Sequence, residues 1–188
     1  MKFEFDENWH ENQVPVLKQK FLPLWEGKKD LRVLEIGSFE GRSTVWWLDN
    51  MDIKELICID TWKGGEEHSH IDMDKVFENF KANVGDKVEW RRGYSHDILM
   101  DLIKEGRKFD FIYVDGSHQG KDVLLDAMLS DRLLVPGGIM HFDDFMWPAD
   151  FPPHRKPQLA IQMFFEQYKE IYDIVYTAYQ VCIKKKAQ

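Results

Sequence analysis

Three aspartates lie directly after two apolar runs that resemble buried strands. Asp115 follows residues 109–114, and the pair Asp143 and Asp144 follows residues 139–142. In an open parallel α/β sheet, the carboxyl ends of the strands face the ligand crevice. Carboxylates that meet there repel one another unless a cation or a positively charged substrate lies between them. The three positions therefore predict a site for positive charge at one edge of a sheet.

A glycine turn upstream predicts a second part of the same site. Residues 34–44 combine the end of a strand, a tight turn and the start of a helix. Gly37 permits the sharp turn, and Gly41 allows close packing of the helix or close approach of a ligand to the backbone. Exposed amides at a helix N-terminus suit a carboxylate or a phosphate. An ordinary strand-to-helix turn fits two glycines equally well.

The spacing within this turn argues against a dinucleotide. The dinucleotide fingerprint has glycine at its first, third and sixth positions. Counted from Gly37, the third and sixth positions hold Phe39 and Arg42. Glu35, just before the turn, would repel a diphosphate but attract an ammonium group. The turn is therefore better suited to the zwitterionic end of an amino acid.

Acidic, aromatic and hydroxyl residues follow the next two predicted strands. Asp60 ends the second strand about 20 residues after the turn, where an acid can accept hydrogen bonds from both ribose hydroxyls. Trp62 can pack against an adenine ring or cover the edge of the sheet. Ser95, after the third strand, can cap a helix. Asp60 and Trp62 predict a nucleoside site, with a purely structural role as the alternative for Trp62.

Length, charge and cysteine content restrict the class of protein. A chain of 188 residues with a net charge of −8 fits one domain with a well-formed core, and its acidity argues against nucleic-acid and anionic membrane partners. The sequence has no apolar stretch near the roughly 20 residues of a membrane helix, and its acidic N-terminus does not resemble a secretory signal. Cys58 and Cys182 fall within predicted strands and are expected to be reduced. We expect a cytoplasmic protein, and the sequence leaves open whether it forms a homo-oligomer.

Strand-like and helix-like runs alternate along the chain, which predicts a parallel sheet with helices on both faces. An opening helix is predicted at about residues 12–26. Strands are predicted at residues 31–36, 55–60, 87–91, 109–115 and 138–142, and helices at residues 42–50, 72–83, 95–105, 120–134 and 158–169.

The last two strand-like runs change the topology. Residues 171–177 and 180–184 are separated by Ala178 and Tyr179, whereas a parallel crossover needs a dozen or more residues. The last strand must therefore run antiparallel to its neighbour. The predicted fold is α/β, a Rossmann-like, seven-stranded, mostly parallel sheet with one antiparallel strand and helices on both faces.

Together these motifs resemble a class I S-adenosylmethionine-dependent methyltransferase. The similarity is greatest to metal-dependent O-methyltransferases of the catechol type and to bacterial small-molecule and sugar O-methyltransferases, and it covers about residues 31–145. The resemblance implies that Glu35 binds the amino group of the cofactor, Ser43 its carboxylate and Asp60 its ribose. The residues expected to contact S-adenosylmethionine are Glu35, Gly37, Ser38, Phe39, Gly41, Ser43, Asp60, Thr61, Trp62, Ser95, His96 and Asp115.

The same resemblance implies roles for the acidic residues. Asp143 and Asp144 lie 28 and 29 residues after Asp115, which is similar to the spacing of the metal-ligating acids in that family. Oxygen-only ligation favours Mg²⁺, with Ca²⁺ or Mn²⁺ as substitutes. His118 stands where the catechol enzymes have a general-base lysine, and it is expected either to take the acceptor's proton or to help hold the metal or a neighbouring loop. Asp115 and His118 are the predicted catalytic residues.

The sequence predicts a single methyltransferase domain over residues 1–188. Its cofactor half spans about residues 31–105, and its metal and acceptor half spans about residues 106–188. The predicted function is S-adenosylmethionine-dependent, Mg²⁺-assisted O-methylation of a small hydroxylated molecule, such as a phenol, a sugar or a natural product. The alternatives are a nicotinamide-dependent oxidoreductase and a catalytically silent module that binds S-adenosylmethionine.

Two further segments lie near the predicted site. Residues 145–154 are rich in proline and aromatic residues, and they either form a wall for the acceptor or serve as a plain connection. His68 and His70 lie in a polar loop that is predicted to be solvated, with a lid or a second metal site as the alternative.

Overall fold

The computed structural model describes residues 3–65, 68–147 and 150–187. The strands are β1 (Leu31–Ile36), β2 (Ile53–Asp60), β3 (Glu89–Arg92), β4 (Phe109–Val114), β5 (Leu134–Phe142), β6 (Tyr172–Thr177) and β7 (Val181–Lys185). The helices are α1 (Val14–Val16), α2 (Arg42–Asn50), α3 (Met73–Val84), α4 (Ser95–Lys104), α5 (Gly120–Leu133) and α6 (Pro157–Tyr168).

The strands form one sheet in the order β3-β2-β1-β4-β5-β7-β6. The first five strands pair in parallel, and β7 runs antiparallel to both β5 and β6. The predicted seven-stranded, mostly parallel sheet with one antiparallel strand is confirmed. The short β6–β7 link explains this arrangement, because it leaves no room for a crossover.

The opening helical segment changes its winding along its length. A 3-10 turn at His10–Asn12 precedes α1, and a π-helical turn at Leu17–Phe21 and a 3-10 turn at Leu22–Trp25 follow it. The segment is helical, as predicted, but it is not one regular helix over residues 12–26. Pro23 contributes to the irregularity because it has no amide hydrogen to donate to the preceding turn.

The sheet separates two apolar cores. Helices α4, α5 and α6 cover one face, while the N-terminal segment, α2 and α3 cover the other. Successive residues of a strand point to opposite faces, so Leu34 and Ile36 belong to the first core and Val33 to the second. Within the described ranges, no helix has both the length and the apolar character needed to span a membrane.

The register of the parallel strands aligns their carboxyl ends. Four residues near these ends are paired in register across β2, β1, β4 and β5: Ile59, Ile36, Val114 and Phe142. The backbone ladder continues beyond the strands, since the Gly37 amide bonds to β2, the Asp115 amide to β1 and the Asp143 amide to β4. The glycine turn and two of the predicted site acids therefore emerge side by side.

Gly37 places the first turn directly against the end of β4. Its φ is +86°, a conformation that glycine adopts without the steric cost of a side chain. A Cβ atom at this position would lie 1.9 Å from the carbonyl oxygen of Asp115. Glycine is therefore required here both by the backbone conformation and by the contact with β4.

We expect Gly37→Ala to lower the free energy of unfolding by about 3 kcal/mol or more, because it adds a backbone clash to a strained φ. Gly137→Ala is a matched control, since Gly137 has a φ of +80° and no atom within 4 Å of the added Cβ. That control should lose about 1 kcal/mol, the backbone cost alone. Urea denaturation measures both, and equal losses would contradict the steric explanation.

Candidate active site

A large cavity opens at the carboxyl edge of the sheet. Its volume is about 1130 Å³. Nine of the residues predicted to contact the cofactor line it, namely Gly37, Ser38, Phe39, Ser43, Asp60, Thr61, Ser95, His96 and Asp115. His118, Asp143 and Asp144 line the same cavity. The structure thus brings the glycine turn and the acidic residues into one space.

Asp60 fixes the shape of the glycine turn. One carboxylate oxygen accepts hydrogen bonds from the backbone amides of Ser38 (3.0 Å) and Phe39 (2.9 Å), and the other accepts one from the amide of Trp62 (2.7 Å). Burial raises the pKa of Asp60, and these amide bonds oppose that rise. A carboxylate has about four lone-pair sites, so acceptor capacity remains for a ribose hydroxyl. Its contact with ribose stays a prediction.

Glu35 lies outside the cavity wall, in contrast to its expected role. Its side chain is fully buried, because strand alternation turns it to the same face as Val33. The carboxylate accepts hydrogen bonds from the Ser38 hydroxyl (2.9 Å), the Trp47 indole (3.0 Å) and the Thr44 hydroxyl. Burial raises the pKa of Glu35 despite these donors. In this geometry Glu35 joins α2 to β1, and its contact with the cofactor's amino group stays a prediction.

We expect Glu35→Gln to lower the free energy of unfolding by about 1–3 kcal/mol, because the new amide nitrogen faces hydrogen-bond donors in the core. The dissociation constant of S-adenosylhomocysteine for the folded variant should change by less than about threefold. Urea denaturation and calorimetry measure the two effects. The control is Glu166→Gln at an exposed position, where stability should change by less than about 0.5 kcal/mol. A large loss of affinity at unchanged stability would restore the role in cofactor binding.

Trp62 and Gly41 also lie outside the cavity wall. Trp62 is 1% exposed, and its ring centroid lies 4.6 Å from that of Phe77 and 4.8 Å from that of Phe80. A Cβ atom at Gly41 would lie 3.0 Å from Val84. Trp62 therefore covers the sheet beneath α3, and Gly41 allows α2 and α3 to pack closely. Both residues thus have packing roles, and their contacts with the cofactor stay predictions.

Asp115, His118 and Asp144 form a group of potential metal ligands. One ligand atom from each lies within 4.8 Å of the other two, and Nε2 of His118 is 2.8 Å from Oδ2 of Asp144. Asp143 lines the cavity beside them, but its oxygens accept hydrogen bonds from the Tyr113 hydroxyl (2.5 Å) and the Asp144 amide (2.8 Å). The group therefore differs from the predicted metal set by containing His118 in place of Asp143.

The electrostatics of this group suit a cation. Burial and the charges of Asp143 and Asp144 hold the pKa of Asp115 well above its ordinary value. Burial and the Asp144 charge raise the pKa of Asp143 to about 6. Burial would also raise the pKa of Asp144, but the interactions with His118 and the Tyr179 hydroxyl outweigh it and lower that pKa. Excess negative charge on oxygen donors fits a divalent metal ion.

Two tyrosines that the sequence did not single out support the acid pair. Tyr113 is fully buried on β4 and donates to Asp143. Tyr179 lies in the β6–β7 turn, and its hydroxyl donates to Asp144 at 2.7 Å. Tyr113 stands two residues before Asp115, at the end of a predicted strand, so the sequence alone could have marked it as a neighbour of the site. The position of Tyr179 could not be predicted in this way, because it depends on how the terminal hairpin docks on β5.

We expect Asp115→Asn to raise the free energy of unfolding of the metal-free protein by about 1–3 kcal/mol at pH 8. A carboxyl with a raised folded-state pKa contributes stability below its unfolded pKa, and that contribution is lost as pH rises through the folded value. The gain should therefore shrink toward pH 4, where the wild-type carboxyl is protonated. Urea denaturation at both pH values checks this, with exposed Asp173→Asn as the control. A loss of stability at pH 8 would contradict the expectation.

The N-terminal segment forms one side of the cavity and was also missed. Buried Glu40 accepts hydrogen bonds from the backbone amides of Asp6 (2.9 Å) and Glu7 (3.3 Å). Nε of Arg42 donates to the Glu7 carbonyl at 2.8 Å. The glycine turn thus anchors this segment, which contributes five residues to the cavity wall: Glu7, Trp9, His10, Asn12 and Gln13.

Aromatic and basic side chains line the cavity beside His118. The ring of Trp147 lies 4.5 Å from that of His118, and the ring of Phe151 lies 5.6 Å from that of Trp147. The guanidinium of Arg155 lies 4.4 Å above the Phe151 ring. The segment predicted as an acceptor wall therefore does contribute to the cavity, although its residues 148 and 149 lie outside the described part of the chain.

His68 lines the cavity as well. Its ring centroid lies 5.4 Å from that of Phe39 and 5.8 Å from that of Trp9. The group of potential metal ligands found among the described residues contains neither His68 nor His70, so the alternative of a second metal site in this loop gains no support.

A family model described as a methyltransferase domain matches residues 34–145. The matched stretch begins within β1 and ends just after the acid pair, so it contains the glycine turn, Asp60 and all three site aspartates. The chain belongs to this methyltransferase family. The match agrees closely with the resemblance expected over residues 31–145.

Relatives with curated descriptions cover part of the chain. The uncharacterized protein R132 of Acanthamoeba polyphaga mimivirus is 32% identical over 123 residues, which cover 63% of this chain and 53% of that protein. Caffeoyl-CoA O-methyltransferase 1 of Eucalyptus globulus is 36% identical over 81 residues, which cover 38% of this chain and 32% of that protein. The chain thus matches about half of the length of the first relative and a third of the second.

Solved methyltransferase structures share the fold. The O-methyltransferase TomG from Streptomyces achromogenes, in complex with SAM, has a TM-score of 0.65 at 20% identity, with 91% of this chain and 80% of TomG covered. MycE methyltransferase from the mycinamycin biosynthetic pathway, in complex with Mg and SAH, has a TM-score of 0.66 at 17% identity, with 98% of this chain and 51% of MycE covered. At these identities the likeness establishes the fold.

Proposed function

We propose that this methyltransferase family member uses S-adenosylmethionine to methylate a hydroxyl group of a small molecule, with the help of a divalent metal. The observation that carries the proposal is that the glycine turn and the acidic group share one cavity. Family membership supports methyl transfer. The named O-methyltransferases among the relatives support oxygen as the acceptor atom.

In this proposal, the methionine end of the cofactor lies against the glycine turn. Gly37 and Ser38 have no bulky side chain that would block access to the backbone, and Ser43 lines the cavity at the start of α2. Asp60 lies at the end of β2 for the ribose. Ser95 and the adjoining wall receive the adenine. The sulfonium would then face the acidic group, which lies beyond the turn at the end of β4.

Methyl transfer from a sulfonium to oxygen is an in-line displacement. The acceptor oxygen forms a bond to the methyl carbon, the carbon–sulfur bond breaks with its electron pair on sulfur, and the hydroxyl proton passes to a base. His118 can accept this proton, and Asp144 at 2.8 Å stabilises the resulting imidazolium. Asp115 and Asp144 would hold the metal, with Asp143 lining the cavity beside them, and the bound metal would lower the pKa of the acceptor hydroxyl.

The other two candidate functions receive less support. A nicotinamide-dependent oxidoreductase would need a diphosphate site, but the third and sixth fingerprint positions hold Phe39 and Arg42, and the matching family is a methyltransferase domain. A silent module that binds S-adenosylmethionine would need the cavity alone. It gives no reason for the imidazole–carboxylate pair of His118 and Asp144 beside Asp115.

We expect S-adenosylhomocysteine to bind at one site in calorimetry and Mn²⁺ to bind at one site in an electron paramagnetic resonance titration. Asp144→Asn should weaken Mn²⁺ binding by about tenfold or more. It should change the affinity for S-adenosylhomocysteine by less than about threefold, because Asp144 lies in the acidic group. Asparagine suits this position, since Asp144 has a φ of +56°.

Asp173→Asn, on the exposed side of β6, is the control and should leave both affinities unchanged. Transfer of a radiolabelled methyl group from S-adenosylmethionine to a panel of catechols, sugars and caffeoyl-CoA then tests the reaction itself. Absence of S-adenosylhomocysteine binding by the folded wild type would overturn the proposed function. Unaltered Mn²⁺ affinity in Asp144→Asn would overturn the metal assignment.

A further inference from the structure

The buried carboxyl group of Asp126 belongs to the wall of the same cavity but not to the group of potential metal ligands. Asp126 lies in α5, is 2% exposed and contributes to the cavity wall. The Ser95 hydroxyl at the start of α4 interacts with its carboxylate. A Cβ atom added to Gly116 would lie 3.8 Å from its Oδ2, so the carboxylate reaches the loop that follows β4. The side chain is therefore positioned between the ends of β3 and β4.

The partners of Asp126 within the protein do not balance its charge. The charged groups that act on it are Asp122, which is also acidic, and His96, whose side chain is half exposed. Among the residues that the structure describes, no lysine or arginine forms an ion pair with it. Burial raises the pKa of Asp126 to about 7, although the Ser95 hydroxyl opposes this rise. A buried acid that lacks a basic partner is costly unless it accepts further hydrogen bonds.

The wall around Asp126 suits a flat ring with a polar edge. Gly116 lies beside the carboxylate and Ile36 beside Gly116, and Ile59, Leu125 and Gly93 line the same cavity. Such surfaces accept the faces of a planar heterocycle. With a heterocycle bound in this way, the carboxylate oxygens of Asp126 would lie at the edge of the ring, where its hydrogen-bond donors and acceptors are.

The chemistry of a carboxylate distinguishes one purine from another. Above about pH 7, where the comparison below is made, the Asp126 carboxyl is ionised, and an ionised carboxylate only accepts hydrogen bonds. The 6-amino group of adenine donates them, whereas the 6-oxo group of hypoxanthine only accepts them. A buried site that pairs with a donor discriminates strongly against an analogue that lacks it, because the protein group is then left unpaired.

We propose that Asp126 is a specificity-determining residue that accepts a hydrogen bond from the adenine 6-amino group and thereby selects adenosyl over 6-oxopurine cofactors. This inference rests on the proposed function in one respect, namely that the ligand is S-adenosylmethionine. It adds a residue of α5 to the nucleoside site, which the sequence had placed on the loops after β2 and β3. The Ser95 hydroxyl then acts as a positioning group for the carboxylate.

The test compares S-adenosylhomocysteine with S-inosylhomocysteine, its 6-oxo analogue, by calorimetry. The wild type should bind S-adenosylhomocysteine about tenfold to a hundredfold more tightly. In Asp126→Asn the side-chain amide can donate to the 6-oxo group, so this preference should fall to less than about threefold. An unchanged preference in the folded variant would overturn the inference, as would an equal loss of affinity for both ligands.

Asp97→Asn is the matched control, because Asp97 lies in the first turn of α4 next to His96 and its side chain is 73% exposed. It should retain the full wild-type preference. A second measurement needs no variant at all. The wild type should bind the 6-deamino purine analogue of S-adenosylhomocysteine about tenfold or more weakly, and equal affinity would overturn the inference even if Asp126→Asn did not fold.

The outcomes separate this inference from the proposed function. If the folded wild type binds neither nucleoside, both are overturned. If it binds S-adenosylhomocysteine and transfers methyl groups but shows no preference between the purines, the proposed function holds and the role of Asp126 is overturned. A purine preference that disappears in Asp126→Asn and persists in Asp97→Asn supports both.

Discussion

The contact between the backbone of Gly37 and that of Asp115 is the constraint on which the rest of the site depends. The two residues follow neighbouring parallel strands, and no Cβ atom fits between them. The sheet therefore fixes the separation between two parts of the site. These are the glycine turn, which is proposed to hold the methyl donor, and Asp115, which belongs to the group of potential metal ligands. The three amide bonds of Asp60 extend the same rigid frame across β2. Chemistry that requires alignment of donor and acceptor benefits from such a frame.

Around this frame the protein tolerates a concentration of buried negative charge. Hydroxyl groups of Tyr113 and Tyr179 and the imidazole of His118 offset part of the repulsion among the acids. Burial and the charges of the neighbouring acids nevertheless keep the pKa values of Asp115 and Asp143 above their ordinary value. Binding sites often contain arrangements of residues that lower the stability of the ligand-free protein. The acidic group has the electrostatic character of a site completed by a cation.

Much of the fold can be read from local patterns in the sequence. The strand ends, the glycine turn and the short β6–β7 link were sufficient to predict the sheet, its parallel half and its one antiparallel strand. The burial of Glu35 could also have been predicted, because residues two apart in a strand share a face. Glu35 therefore points to the same side as Val33, where α2 packs. The positions of Trp62 and of the N-terminal residues that line the cavity could not be predicted. Their placement depends on how α3 and the first residues pack in three dimensions, which no short-range pattern encodes.

The terminal hairpin has a further consequence through Tyr179. Edge strands open more readily than central strands, and here the loop between the edge strand β6 and its neighbour β7 contacts Asp144 directly. The backbone amide of Met146 also bonds to the Tyr179 carbonyl, which joins the same loop to the segment after the acid pair. Opening of this edge of the sheet would therefore disturb the acidic group. Hydrogen exchange in β6 and β7 should slow when the cavity is occupied, so these peripheral strands can report on the state of the interior.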